Sequence, residues 1–376
     1  MLTCFLLFNK SKFLFLFIAM QKVLQKEIHS FLGAISKGRV VYATVREESE
    51  TRPAVSDGDT NYYMVRADAW DSQKHLLAPY RPVEPLKSLI FRPRELLGMS
   101  VKTREIPEAI VIGVKNCDLS ALKIHDYVFM QSEPADLVYR EIREKTIIVS
   151  MDCSEVRKTC FCTAVKQKPY ASTGFDINLS PVSDGFLVEA GSERGKALLK
   201  QAEKFLVDAD RQSIEERERC REEIVKLVNS NVKSAGLSVE DDFRKAVEQS
   251  REAELWGKFA RDCVECGACN FVCCTCHCFL LTDGVSEGKV PERMKQWDSC
   301  LYRNFARVAG GANPRKYRAE RLYNRFDKKF SFFPQILGSY ACDGCGRCIE
   351  SCAGKIDIRQ VLKEAVGWSK TEISKR

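Results

Sequence analysis

The sequence predicts an α/β N-terminal domain with parallel strands, a helical connector and a mostly α-helical C-terminal domain. Three observations lead to this fold class: runs rich in Val and Ile flank a segment with helical spacing, a charged periodic stretch follows, and short-spaced cysteines come last. The chain has 376 residues, more than one hydrophobic core usually supports, so we expect two or three domains. Its 45% hydrophobic and 29% charged residues are typical of a globular protein.

Residues 1–19 are predicted to be a mis-assigned or disordered leader. Their apolar run at 13–19 is too short to span a bilayer as a helix, and no small-residue cleavage site follows it. Met20 then opens MQKVLQKEIHSFLGAISKG, whose apolar spacing predicts an amphipathic helix. We therefore expect the α/β domain to span 20–190 and the chain to have no membrane segment.

The α/β prediction rests on a β-α-β unit. RVVYATV at 39–45 has the β-branched character of a strand, and EAIVIGV and TIIVS are short runs that indicate buried parallel strands. Between these two runs, DLSALKIHDYVF has helical spacing with Asp118 as its predicted N-cap. A right-handed crossover would place both strands in one parallel sheet, as near neighbours.

Four cysteines are expected at the carboxyl edge of this sheet, where open α/β folds bind ligands. Cys117 and Cys153 follow the two strands at the same offset, and Cys160 and Cys162 come next in TCFC. We call these four the N-terminal thiol group. One hypothesis is that they hold a third metal cluster; the other is that they are buried free cysteines, which behave as small hydrophobes.

Residues 191–262 are predicted to form the helical connector. The segments ERGKALLKQAEKFLVDAD, IEERERCREEIVKLVNS and VEDDFRKAVEQSREAELWGKFA predict two or three amphipathic helices. Their charges are expected on solvated faces, and Cys220 is expected to be an ordinary thiol.

Two copies of the spacing C-x2-C-x2-C-x3-C identify residues 263–376 as a two-[4Fe-4S] ferredoxin-like domain with a long insertion at 274–341. Three thiolates on a tight loop reach one cubane, and in two-cluster ferredoxins the fourth cysteine ligates the other cluster. This rule assigns the first cluster to Cys263, Cys266, Cys269 and Cys352, and the second cluster to Cys342, Cys345, Cys348 and Cys273.

Zinc and disulfides are the alternatives for these thiols. Structural zinc usually takes two pairs of ligands separated by a spacer, which this repeated spacing does not resemble. The 18 cysteines of so long a chain point to metal rather than to a disulfide framework, and hence to a reducing compartment, the cytoplasm. One departure from the ferredoxin pattern is that Cys274 and Ala353 replace the proline that usually follows the fourth cysteine.

The run CGACNFVCCTCHCF, then WDSC, FARVAGGANPRKYRAERLYNRFDKKF and CDGCGRCIESC, resembles the family of iron-sulfur subunits found in anaerobic sulfite reductases and, as the beta subunit, in cytoplasmic sulfhydrogenases. NCDLSAL, TCFC and GFDINLSP extend the resemblance through the N-terminal half. It implies an electron conduit without catalytic residues of its own. The partners it implies are a flavin subunit that oxidises NAD(P)H and a catalytic subunit carrying siroheme or nickel-iron.

Two further features keep two interpretations each. Cys276, Cys278 and Cys300 either line the cluster pocket or tune its potential by weak hydrogen bonds, and His277 is expected near the cluster or at the surface rather than as a ligand. The segment 303–329 contains nine Lys or Arg. It either docks an acidic partner and offsets cluster charge, or forms a solvated helical face with Phe305, Tyr317, Tyr323 and Phe326 turned inward.

Electron relay to a sulfite reductase is the leading functional hypothesis, with a nickel-iron hydrogenase as the alternative partner. A redox sensor, or an enzyme with an open iron site at the N-terminal thiol group, would be functions of another class. No G-x-G-x-x-G loop follows a strand and no Walker-type loop occurs, so the flavin is assigned to a partner. The basic residues behind the formal charge of +8 are interspersed with acidic ones, and anionic clusters would offset part of this charge. Nucleic acid is therefore not an expected ligand.

Overall fold

The computed structural model describes residues 20–46, 60–97, 105–285 and 291–374. The strands within these ranges are β1 (Gln21–Leu24), β2 (Val40–Arg46), β3 (Tyr62–Ala67), β4 (Arg94–Leu97), β5 (Ala109–Val114), β6 (Thr146–Met151), β7 (Ile177–Val182), β8 (Gly185–Ala190), β9 (Leu206–Asp208), β10 (Phe279–Val285) and β11 (Pro291–Trp297). The α-helices are α1 (Ile28–Ser36), α2 (Lys87–Ile90), α3 (Asn116–Met130), α4 (Leu137–Lys145), α5 (Glu193–Gln201), α6 (Arg211–Ser234), α7 (Phe243–Gln249), α8 (Leu255–Ala260), α9 (Ala268–Phe271), α10 (Arg318–Asp327), α11 (Phe333–Leu337), α12 (Arg347–Glu350) and α13 (Ile358–Ser374). The predicted leader, 1–19, lies outside the described residues.

One mixed sheet organises the N-terminal part, with the strand order β3-β2-β5-β6-β7-β8-β1-β9. Strands β2, β5, β6 and β7 are parallel, and the outer pairs are antiparallel. The predicted neighbours β5 and β6 do pair directly, Ile110 opposite Ile147. Alternate residues of β5 enter two cores: Ile110 and Ile112 pack with α1 and α5, whereas Val111 packs with α3 and α4. The predicted α/β class with parallel strands is therefore confirmed.

Two local predictions in this part are wrong. The helix expected from Met20 begins only at Ile28, because Gln21–Leu24 pairs with β8 and β9 as a strand that buries Val23 completely. Asp118 is not the N-cap of α3, since the helix begins at Asn116 and Lys115 precedes it without a capping side chain. Sheet pairing and tertiary contacts override local propensity at both positions.

The segment 191–262 supplies α5, β9, α6, α7 and α8. Its strand β9 completes the sheet edge beside β1, whereas α7 and α8 pack on α10 and α13. Together with the C-terminal part, these helices form a core separate from the two cores on the sheet. It is built around Phe243, Trp256 and Phe326. The connector therefore contributes both to the sheet and to the C-terminal core. The domain boundaries at 190 and 262 stay predictions.

The long insertion also reaches back to the N-terminal part. Its hairpin of β10 and β11 adds β4 as a third strand, with Lys295 opposite Glu95. None of the helices in the described ranges is long and apolar enough to cross a membrane.

Buried ion pairs fix the last cysteine run to the carboxyl edge of the sheet. The guanidinium of Arg347 donates to both carboxylate oxygens of Asp118, at 2.9 and 2.6 Å, and both side chains are buried. One carboxylate oxygen of Glu350, Oε1, accepts from both Arg81 at 2.7 Å and Arg157 at 3.0 Å. Because a buried charge needs a partner, these pairs tie the position of the loop to the N-terminal domain.

We expect Asp118→Ala to lower the free energy of unfolding by about 3–5 kcal/mol, because it leaves the buried guanidinium of Arg347 without its carboxylate partner, with only the backbone oxygens of Pro82 and Glu84 as acceptors. Chemical denaturation of the full chain, followed by circular dichroism, measures the change.

The matched control is Asp283→Ala, which removes the exposed ion pair with Arg293. Exposed pairs contribute little, so the unfolding midpoint of the control should equal that of the parent. Equal midpoints for Asp118→Ala and the parent would contradict the role given to the buried pair.

Candidate iron-sulfur centre

Five cysteines line a cavity of about 40 Å³ in the C-terminal part: the four predicted for the first cluster, Cys263, Cys266, Cys269 and Cys352, together with Cys348. Its remaining wall is mostly apolar and includes Leu301, Leu322, Phe326, Ile356 and Ile358. The backbone N–H of Ile356 donates to Cys352 Sγ at 3.2 Å. The four cysteines predicted for the first cluster therefore meet at one cavity, although Cys352 lies 83 residues after Cys269 in the chain.

The crossing of the fourth cysteines has a simple structural origin. Each cysteine loop turns through a glycine with positive φ, Gly267 at 74° and Gly346 at 75°, and continues into a one-turn helix, α9 or α12. The two helices pack against each other. Cys273 after α9 is thereby carried to the second loop, and Cys352 after α12 is carried to the first.

The second quartet is formed by Cys342, Cys345, Cys348 and Cys273. The thiol of Cys348 interacts electrostatically with those of Cys273 and Cys345, and the thiol of Cys342 with those of Cys348 and Cys273. Burial raises the pKa of Cys342 and Cys348, whereas a hydrogen bond from Cys274 lowers the pKa of Cys345 to about 6. Cys348 also lines the first cavity, so the two quartets adjoin.

Buried cations surround these thiols. Lys329 Nζ lies 3.2 Å from Cys273 Sγ and donates to Thr275 Oγ1 at 2.8 Å. Although burial disfavours its charge, the Cys273 thiolate raises the pKa of Lys329 well above its usual value. Burial likewise opposes the charge of Arg325, and the thiolates of Cys269 and Cys348 raise its pKa. The Nη2 of Arg325 is buried and has no hydrogen-bond acceptor among the described residues.

These features fit anionic clusters. Thiolates are the ligands that iron-sulfur clusters take, and buried cations with an unused N–H group suit an anion with acceptor sulfides. In the described part of the chain, no three His, Cys, Asp or Glu side chains come close enough to hold one metal ion. The structure nevertheless brings the cysteines of each predicted quartet near one another. Their ligation of a cluster stays a prediction.

The N-terminal thiol group also converges. Cys153 and Cys162 interact electrostatically with Cys160, and Cys117 interacts with Cys153 and with Cys345 of the second quartet. Burial raises the pKa of all four, that of Cys153 to about 12. Strand ends therefore gather these residues as expected, directly beside the second quartet. The third-cluster hypothesis for this group stays a prediction.

The basic segment 303–329 shows features of both interpretations, charge offset at the cysteines and a solvated helical face. Arg321, Arg325 and Lys329 are buried, whereas Arg303, Arg307 and Arg318 belong to its exposed residues. Phe326 is turned inward as expected, but Tyr317 is 63% exposed. The segment thus both offsets charge at the cysteines and presents basic residues outside.

The buried cations are the residues that sequence reasoning missed as individuals. Arg321, Arg325 and Lys329 follow one another at intervals of four, which places them on one helical face. That spacing was the available signal. His277 is partly buried rather than at the surface, and removal of its ring from water lowers its pKa to about 4.

We expect Gly346→Ala to destabilise the chain and to reduce its iron content. A Cβ there would lie 2.5 Å from the backbone oxygen of Thr159, and φ is +75°, a conformation that costs an L-residue about 1–2 kcal/mol before any clash. Melting temperature and iron per chain are the measurements. Gly338→Ala is the control because it has φ +67° but open space; equal losses in both variants would contradict the close approach.

We expect Lys329→Met to lower the reduction potential of the nearest centre, on the order of tens of millivolts, because a cation beside a thiolate favours the more negative, reduced state. Redox titration followed by electron paramagnetic resonance (EPR) measures it, with iron content checked in parallel. Lys316→Met, at an exposed position, should leave the potential unchanged. A potential that rises in Lys329→Met would refute the electrostatic assignment.

Comparison with known proteins agrees with this geometry. Residues 262–356 match the family model of the 4Fe-4S dicluster domain. The chain is also 30% identical over 290 residues to sulfhydrogenase 2 subunit beta of Pyrococcus furiosus, a similarity that covers 76% of this chain and 83% of that subunit. The expected family is thereby confirmed: the chain belongs to the iron-sulfur, electron-transfer subunits that include the sulfhydrogenase beta subunit.

Proposed function

We propose that the chain relays electrons through two [4Fe-4S] clusters between a flavin subunit that oxidises NAD(P)H and a catalytic reductase subunit. The observation that carries this proposal is the contact between the two cysteine quartets. Cys348 of the second quartet lines the cavity of the first, and Arg325 interacts with thiols of both. One-electron steps between adjacent clusters need no substrate chemistry, which agrees with the expectation that no residue is catalytic.

The first quartet offers the surface end of such a relay. Cys266 is exposed and Val264 is 62% exposed, whereas Cys342, Cys345 and Cys273 are buried. Arg318 donates to the backbone oxygen of Cys263 at 2.8 Å, so exposed basic residues of the segment 303–329 reach this end. We infer that an acidic face of a redox partner docks here, since complementary charge speeds association.

The catalytic partner is proposed to be of hydrogenase or of sulfite reductase type. Identity to a sulfhydrogenase beta subunit favours a nickel-iron partner over the siroheme partner. The reducing cytoplasm is the proposed compartment for either complex, because thiols are kept reduced there.

The chain is expected to co-purify anaerobically with both partners, and the metal of the larger assembly identifies the catalytic one. Nickel in stoichiometric amount would establish the hydrogenase type; siroheme would establish the sulfite reductase type. A chain that carries iron and sulfide but never binds a flavin or catalytic subunit would contradict the relay and favour the redox sensor.

We expect Cys266→Ala to remove about four irons per chain, the content of one cubane, and to make electron transfer from the flavin subunit slower by tenfold or more. Iron and acid-labile sulfide analysis and stopped-flow reduction measure these effects. Cys220→Ala, at an exposed thiol of α6, is the matched control and should change neither. Colourless parent protein with zinc and no sulfide would refute the cluster assignment.

A further inference from the structure

A second cavity, of about 240 Å³, lies next to the two quartets but is lined by none of their eight cysteines. Three other cysteines line it: Cys276, Cys278 and Cys300. A water molecule takes about 30 Å³ in the liquid, so this space accepts a group much larger than one ion. Two segments, CTCHC and WDSC, supply the thiols. In the chain β10 and β11 lie between them, and the pairing of these two strands brings the segments side by side.

The three thiols converge on one another. The backbone N–H of Asp298 donates to the backbone oxygen of Cys278 at 2.9 Å, which holds the two thiol segments side by side, and the Cys278 thiol interacts electrostatically with those of Cys300 and Cys276. Asn270 Nδ2 donates to Cys300 Sγ at 3.1 Å, which fixes the sulfur from the other side. Free cysteines that only fill a core pack against apolar groups; these face an open space and one another.

The wall of this cavity is strongly basic. Arg325 and Lys329 line it and are both buried, and Arg315 and Lys328 line it as well. Arg325 carries the Nη2 that has no acceptor within the described ranges. A buried donor left without an acceptor costs stability. Arg325 lines both this cavity and the first one, so an anionic group with acceptor atoms in either space would satisfy it, and the four basic side chains around this cavity favour an anion here.

We propose that Cys276, Cys278 and Cys300 hold a further iron-sulfur cluster, separate from the two ferredoxin-type quartets and from the N-terminal thiol group. Each thiol releases its proton to solvent when its sulfur bonds iron, and the fourth iron takes a ligand other than a cysteine thiolate. The cluster sulfides would act as acceptors for the basic side chains that line the cavity, Arg325 and Lys329 among them.

The position of the site suits electron transfer. The Cys276 thiol hydrogen-bonds with that of Cys273 in the second quartet, and Arg325 also interacts with Cys269 in the first. The cavity therefore adjoins the second quartet, and the side chain of Arg325 lines both this cavity and that of the first quartet. Its use as a redox relay rests on the proposed function, whereas its ligation does not.

The test compares Cys278→Ala, Cys300→Ala and the control Cys220→Ala in anaerobically purified full chain. Each of the first two is expected to lose about four irons and an equivalent amount of acid-labile sulfide, with the EPR signals of the ferredoxin-type pair retained. Cys220→Ala should keep the parent content. Unchanged iron and sulfide in both variants, or loss of one zinc instead of iron, would overturn the proposal.

Two further arms keep the result interpretable. Cys153→Ala reports on the N-terminal thiol group and should not alter the signal that Cys278→Ala removes, whereas Cys266→Ala tests the proposed function separately. If the variants do not fold by circular dichroism, thiol alkylation and peptide mapping are done on the parent before and after iron chelation. Cys278 and Cys300 should become reactive as iron leaves; a disulfide between them, or full reactivity beforehand, would refute the site.

Discussion

The constraint on which this structure depends is the pairing of buried negative sulfur with buried positive side chains. Arg325 and Lys329 lie among the thiols with almost no access to water, an arrangement that is stable only when the sulfurs are anionic. Lys329 contacts Cys273 directly, and the thiolates raise the pKa of both cations. The helical face formed by α10 and the turn that follows it is therefore as much a part of the candidate centre as the cysteines.

A buried ion pair and a backbone hydrogen bond join the two halves of the chain. The last cysteine loop docks on the carboxyl edge of the sheet, where other α/β proteins bind small ligands. Arg347 meets Asp118 there, and the backbone N–H of Phe161 donates to Gly344 O at 2.8 Å. An N-terminal domain without a recognisable nucleotide loop is thus used as a support for the cluster loop. This explains why its thiols lie beside the second quartet.

Family membership and the geometry of the cysteines are two separate lines of support for an electron-transfer role. The relationship covers most of the chain and gives the class of protein, whereas the adjoining quartets give a physical route through it. The exposed Cys266 and the basic residues around the first cavity provide one place where electrons can enter or leave. The buried second quartet then lies further inside, next to the cavity of Cys276, Cys278 and Cys300.

The sequence by itself determined the parallel β-α-β unit and the eight cysteines of the two runs, because periodicity and ligand spacing are local properties. It did not determine that Gln21–Leu24 is a strand or that Asp118 pairs with Arg347, since both depend on residues more than 150 positions away. Only the tertiary structure placed Cys276, Cys278 and Cys300 around one cavity and turned Arg321, Arg325 and Lys329 of the basic segment inward. Burial decided these roles, and burial is a property of the packed chain rather than of any segment.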